Sequence, residues 1–175
     1  MNKKSFIYSV SDLATAPLGS VIKYEIDNDS PFSDFEVRGN ITGELEVMRI
    51  EKGLNVVVSD FHAEVLYPRC NKCLKSFEKE VEFEHTERQF FYNQPEEMID
   101  IAETYLVDTK HQQIDISDML RQEIILHFET FPVCSNSCQG ICDQCGTDLN
   151  FKKCNCRKAE KALSNPFSAL KELIK

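Results

Sequence analysis

Apolar and polar positions alternate through much of the first two thirds of the chain. Ile41, Gly43, Leu45 and Val47 alternate with Thr42, Glu44 and Glu46, the period of a strand with one buried face. Glu51-Lys52-Gly53 then predicts a turn into the β-branched run Val56-Val57-Val58, and this second strand continues through Phe61, Ala63, Val65 and Tyr67. A tight turn over Pro68 to Leu74 leads to a third strand from Phe77 onward. There Phe77, Val81 and Phe83 share one face, and Glu78, Glu80, Glu82 and Glu84 share the other. Upstream, Val21 to Ile26 alternates weakly and stops at the turn-forming cluster Asp27-Asn28-Asp29-Ser30-Pro31. Phe90-Phe91-Tyr92 closes the third strand as core rather than as a base-stacking platform. Gln94 to Thr104 reads as a loop with a short helical turn, and Tyr105 to Val107 as a short strand. Strands in this order need only the short connections of an antiparallel meander.

The period then changes. Ile116, Met119, Leu120, Ile124 and Phe128 recur at helical spacing behind Asp115 as N-cap, with Asp118 three residues on and Pro132 as the stop. A loop-like, cysteine-rich stretch follows. The chain closes on Asn165-Pro166-Phe167, an N-cap with proline in the first helical position, and Phe167, Leu170 and Ile174 form one apolar face. The expected fold class is α+β: an antiparallel strand meander with segregated helices and a cysteine-rich, zinc-binding C-terminal region. It divides into a β-rich body with one main helix over 1–133, a cysteine-rich segment over 134–156 packed on the body, and a basic tail with a short helix over 157–175. At 175 residues the chain buries a core without needing its cysteines as rescue.

Charge sharpens this division. Of a formal net charge of −9, residues 150–175 contribute +5, from seven Lys and Arg against two Glu, which leaves −14 on everything before them. Such a body repels nucleic acid over most of its surface. RNA contact is therefore expected at the basic end, through Lys152, Lys153, Lys158 and Lys161, and a basic protein partner at the acidic body. The glutamate face of the third strand reads first as a solvated outer face and second as a negative stripe that docks a basic partner. The N-terminal apolar stretch is too short for a signal peptide, being ended by Ser11-Asp12, and no apolar run approaches the roughly 20 residues that span a bilayer. The expectation is a cytoplasmic protein with no membrane contact. In that compartment paired cysteines hold metal or do redox work.

The eight cysteines form four close pairs: Cys70-x2-Cys73, Cys134-x3-Cys138, Cys142-x2-Cys145 and Cys154-x-Cys156. Two cysteines on one tight turn fill two corners of a zinc tetrahedron, so four pairs make two structural Zn²⁺ sites. Cys142-Asp-Gln-Cys145-Gly146 has the look of a zinc knuckle, Gly146 permitting the turn after the second ligand. Cys154 and Cys156 follow closely, so a local site of Cys142, Cys145, Cys154 and Cys156 closes at small entropic cost. Cys70 and Cys73 then join Cys134 and Cys138; an interleaved pairing of Cys70 and Cys73 with Cys142 and Cys145 stays open. Two filled tetrathiolate sites would take the formal charge from −9 to about −13. Four cysteine ligands leave no open position for water or substrate, which excludes catalytic zinc. An iron–sulfur cluster is the competing use of the same residues. A thioredoxin-like role for Cys70-x-x-Cys73 would need the pair to open a helix, and here it lies between strands. His62 and His85 fall on strands, His111 in a loop and His127 on the helix, where only His127 is near enough to Cys134 to substitute as a ligand. With six glycines, no phosphate-binding loop and no paired catalytic carboxylates, the expectation is a non-enzyme without a small-molecule substrate.

These residues also carry a resemblance. Cys70-Asn-Lys-Cys73-Leu-Lys-Ser-Phe77, then Gln122-Glu123-Ile-Ile-Leu126, then Pro132-Val-Cys134 resemble the YceD family of large ribosomal RNA subunit accumulation proteins. Cys138-Gln-Gly140-Ile-Cys142-Asp-Gln-Cys145-Gly146-Thr-Asp-Leu149-Asn150 is similar to the cysteine-rich segment of many bacterial members, and Asn165-Pro-Phe167-Ser-Ala-Leu170 to the family's C-terminal signature. The resemblance implies a non-enzymatic ribosome-assembly factor supporting accumulation of large-subunit (23S) ribosomal RNA. Members are commonly encoded beside a small basic protein of the large ribosomal subunit, which suits the acidic body. The expected partners are thus large-subunit ribosomal RNA or its precursor and a basic large-subunit ribosomal protein. The alternative from another class is a redox-switched zinc chaperone, since zinc thiolates are oxidisable.

Overall fold

The computed structural model describes residues 6–94 and 104–156. Most of the expected helical turn after Gln94, the whole basic tail from residue 157 and the short helix expected in it lie outside the described residues. In chain order the elements are β1 (Ile7–Ser9), α1 (Ser11–Ala14), β2 (Val21–Asp29), β3 (Glu36–Ile50), β4 (Gly53–Tyr67), β5 (Phe77–Phe91), β6 (Tyr105–Leu106), β7 (Gln113–Asp115) and α2 (Ser117–Leu126). Among the described residues strands predominate, with two short helices. It forms two compact units, one of Met1–Tyr67 with Glu78–Thr130, the other of Pro68–Phe77 with Phe131–Lys175.

The first unit is built on a five-stranded sheet in the order β2-β3-β4-β5-β6. Ile41, Leu45 and Val47 on β3 and Val56, Val58, Phe61, Ala63 and Val65 on β4 are fully or almost fully buried, as their alternation requires. On β5 Val81 and Phe83 point inward while Glu78, Glu80, Glu82 and Glu84 are exposed, and Phe83 stacks on Phe61 with ring centroids 4.3 Å apart. The β3–β4 hairpin turns through Gly53, where a Cβ would meet the Phe90 carbonyl oxygen at 2.0 Å. Only glycine allows that backbone approach.

Three expectations need correction. First, β2 does not stop at Ile26. Asp27, Asn28 and Asp29 pair with Thr42, Ile41 and Asn40 of β3, and Asn40 Nδ2 donates to Asp27 Oδ1 at 2.6 Å. Ladder and side-chain hydrogen bonds override the turn preference of Asp and Asn. Second, the sheet is mixed: β6 pairs parallel with β5 through Phe90↔Tyr105 and Phe91↔Leu106. Thirteen residues separate the two strands in sequence, which permits a parallel partner, whereas a short turn permits only an antiparallel one. The sequence pattern also missed β1 and β7, which form a separate antiparallel pair, Ile7↔Asp115 to Ser9↔Gln113.

Third, Asp115 is not the helix N-cap. Its backbone belongs to β7 and pairs with Ile7, so the cap position falls on Ile116, with no side-chain cap bond. Asp115 Oδ1 still accepts from the Ser117 N–H at 2.9 Å. Met119, Leu120 and Ile124 are buried as the spacing predicts, but α2 ends at Leu126, short of Pro132. Phe128 leaves the helix and packs against Phe35 and Tyr67, each ring 5.4 Å away. No helix among the described residues is long and apolar enough to cross a membrane.

Candidate metal centre

All eight cysteines lie in the second unit. Its first pair sits in the loop between β4 and β5. The Cys70 N–H donates to the Lys75 carbonyl at 2.8 Å, and the Leu74 N–H returns to the Cys70 carbonyl at 2.9 Å. Leu74 takes a left-handed conformation, φ +63°. The pair Cys142 and Cys145 repeats this turn. The Cys142 N–H donates to the Thr147 carbonyl at 2.8 Å, the Gly146 N–H to the Cys142 carbonyl at 2.9 Å, and Gly146 has φ +70°. One left-handed residue after the second cysteine folds each turn so that both sulfurs converge.

The turns are completed locally. Asn71 donates its N–H to the Pro132 carbonyl at 2.8 Å and Cys134 donates its N–H to Cys70 Sγ at 3.4 Å, which docks the Cys134–Cys138 segment onto the first knuckle. Cys70, Cys73, Cys134 and Cys138 thereby bring their sulfurs within 4.8 Å of one another, and Cys142, Cys145, Cys154 and Cys156 do the same. The grouping follows the local pairing; the interleaved one does not occur. The first quartet has Cys70, Cys73 and Cys138 buried with Phe77 and Val133 packed against them, and Cys134 exposed. In the second only Cys142 is buried.

This geometry fits zinc. Four sulfurs at the usual Zn–S distance of about 2.3 Å define a tetrahedron with edges of about 3.8 Å. Cys73 Sγ and Cys134 Sγ are 3.7 Å apart, too far for a disulfide. Backbone N–H groups face the sulfurs as a thiolate requires. Burial pushes the Cys70 thiol up, but N–H groups of Cys73, Cys134 and Lys72 outweigh it and bring its pKa down to about 6. The Thr147 hydroxyl and N–H, with Cys142 and Cys156, hold Cys145 at about 6 as well. Once one thiol of a quartet ionises, its neighbours resist: Cys134 beside Cys138 is pushed up to about 12, and Cys156 beside Cys145 likewise. A divalent cation removes that conflict.

Residues around the cysteines, which the pair spacing alone did not single out, tie the quartets together. Gly140 has φ +74°, and a Cβ there would lie 2.8 Å from the Lys72 carbonyl oxygen. The Ile141 N–H donates to that same oxygen at 3.1 Å. Asn150 Nδ2 reaches Cys138 Sγ at 3.6 Å while its Oδ1 accepts from the Gln139 N–H at 2.8 Å. Asp148 accepts from the Asn150 N–H at 2.9 Å and pairs with Lys75 Nζ at 2.6 Å, a contact that holds the Asp148 carboxyl below the usual range. The run Gly146-Thr-Asp-Leu-Asn150 carried a signal for this, since Asp and Asn two residues apart favour side-chain-to-backbone bonding.

The histidines stay apart. His127 Nδ1 hydrogen-bonds the Glu123 carbonyl at 2.9 Å and joins no cysteine group among the described residues. His62, Glu80 and Glu82 gather on the exposed sheet face, with His62 Nδ1 at 3.1 Å from Glu80.

Residues 61–174 match the family described as large ribosomal RNA subunit accumulation protein YceD. A curated relative from Arabidopsis thaliana, "Large ribosomal RNA subunit accumulation protein YCED homolog 1, chloroplastic", is 38% identical over 50 residues. That stretch covers 29% of this chain and only 16% of the relative. No solved structure matches the chain.

Proposed function

The chain belongs to the YceD family of large ribosomal RNA subunit accumulation proteins, and from that premise we propose that it is a non-enzymatic, cytoplasmic ribosome-assembly factor supporting accumulation of large-subunit ribosomal RNA. The observation that carries this reading is how charge divides between the units. Residues 68–77 and 131–175 hold ten Lys and Arg against four acidic residues, a net +6, which leaves −15 on the remainder of a chain of −9. Basic charge that suits phosphates is gathered in the cysteine-bearing unit, and the sheet unit is left to suit a basic protein.

Zinc, when bound, supplies two closed tetrathiolate crosslinks and no reactive position. The chain's own residues do the rest. The knuckle turns orient the thiolates, Asn150 and the Cys70-facing amides stabilise them, and Gly140 lets the segment leading into the second site lie on the first knuckle. On the sheet unit, Glu78, Glu80, Glu82 and Glu84 offer a row of exposed carboxylates to a basic large-subunit ribosomal protein.

Co-sedimentation tests this reading. The protein is expected with large-subunit precursors at low salt, enriched over mature ribosomes; equal distribution would count against it. The redox-switched chaperone is supported by one feature, exposed Cys134 lying 3.7 Å from Cys73, where oxidation would need little movement to join them. Zinc retained after mild peroxide treatment rejects that switch and leaves the assembly role standing.

A further inference from the structure

The second unit exposes an aromatic ring with no core to serve. Phe151 is 81% exposed, and the Lys75 ammonium sits over its ring, 4.1 Å from the centroid. Both residues are held in place. Lys75 is anchored by Asp148 at 2.6 Å. The main-chain carbonyl of the same Asp148 accepts from the Phe151 N–H at 3.3 Å and the Lys152 N–H at 3.0 Å. One turn therefore holds the ring beside Lys75, and the exposed Lys152 and Lys153 follow it directly along the chain. An unburied phenylalanine gains nothing from the hydrophobic effect in the folded chain, yet here backbone hydrogen bonds and a neighbouring ammonium set its position.

We propose that this turn binds single-stranded RNA: an unstacked base lies on the open side of Phe151, and the flanking phosphates meet Lys75, Lys152 and Lys153. Aromatic faces bracketed by cations are the chemistry that reads unpaired nucleotides without sequence preference. A duplex keeps its bases stacked on each other and has none to offer. An acidic peptide would use the lysines but leaves the ring without a partner. The surface deepens the assembly-factor reading, on which it rests, by placing RNA contact on described residues of the cysteine unit.

The test is fluorescence anisotropy with the zinc-loaded full chain and a labelled single-stranded RNA of about 12 nucleotides. Phe151→Ala is expected to weaken binding about tenfold with zinc content unchanged, because the ring is exposed. Phe151→Trp is expected to restore it. Lys152→Gln with Lys153→Gln should flatten the slope of log affinity against log salt by about 1.4, near 0.7 for each phosphate that a single strand no longer has neutralised. Binding of Phe151→Ala within about twofold of the parent overturns the stacking platform, as does a duplex or an acidic peptide binding more tightly than the single strand. Parent co-sedimentation with precursors in the absence of any Phe151 effect removes this surface and leaves the assembly reading. A Phe151-dependent RNA affinity without co-sedimentation does the reverse.

Discussion

The two cysteine quartets solve one problem with different materials. Both begin with a Cys-x-x-Cys turn closed by the same two backbone hydrogen bonds and one left-handed residue. In the second quartet that residue is Gly146; in the first it is Leu74, which carries a steric penalty of about 1–2 kcal/mol in this conformation. The first quartet draws its cysteines from residues 70 to 138 and buries three of them; the second draws from residues 142 to 156 and buries one. Closing the longer loop costs more chain entropy, and packing by Phe77 and Val133 offsets it. The backbone turn thus follows from the need to converge two sulfurs, while burial follows from where in the chain the partner pair comes from.

Removing a ligand should separate the quartets most. Cys73→Ser and Cys156→Ser are each expected to lower zinc content from about two per chain to about one, since structural zinc contributes on the order of 10 kcal/mol to folding its site. Only Cys73→Ser frees the loop at residues 68–77 from the segment after α2, so only that variant should become sensitive to proteolysis there. Equal sensitivity in both would erase the distinction. A chelator, for the same reason, is expected to strip the exposed second quartet first, as a two-phase release.

Backbone strain gives the next effects. Gly140→Ala combines φ +74° with a 2.8 Å approach to the Lys72 oxygen and should cost about 2–4 kcal/mol in chemical denaturation. Gly146→Ala, at φ +70° with nothing within 4 Å, should cost only about 1 kcal/mol. Leu74→Gly is expected to stabilise by up to about 1 kcal/mol, because the side chain is 49% exposed and its left-handed strain is relieved. A destabilised Leu74→Gly would mean that the exposed side chain packs on something essential.

The smallest effect is chemical. Without metal, Cys70 and Cys145 both titrate near pH 6, below the ordinary thiol value of about 8.5. A depressed folded-state pKa adds stability that is complete above about pH 8.5 and disappears as pH falls through about 6, so the metal-free second unit should gain stability between those limits. Cys145 is exposed and Cys70 is buried. Iodoacetamide at about pH 7 should therefore label Cys145 first, read by mass spectrometry of the peptides.

The alternation that predicts β3, β4 and β5 is visible in the sequence because each strand buries one face, and Leu45, Phe61 and Val81 report that face directly. β1 and β7 are three residues each, too short for any period to register, and exist only because they pair with each other. Asp115 shows the same limit from another side: its cap signal is real, but its strand partner Ile7, far away in sequence, claims its backbone. At the cysteine quartets the four close pairs were legible from spacing alone. Leu74 was not legible as a left-handed residue, because nothing in a leucine signals one. The Asp148–Asn150 bonding carried a local signal, but its link to the first knuckle, like that of Gly140, was hidden for want of knowing that Lys72 and Lys75 would lie against them.

By itself, then, the sequence determined the chemistry available: four close cysteine pairs, a strand-forming acidic body and basic residues weighted toward the end. These are properties of composition and short-range spacing, which the chain carries whether folded or not. Tertiary structure decided which pairs share a quartet, that Arg69, Lys72 and Lys75 join the basic cysteine unit, and that Phe151 stands in the open beside Lys75. Such facts depend on which distant segments meet, and that is settled by the joint free energy of turn, packing and ligand convergence rather than by any one stretch of chain.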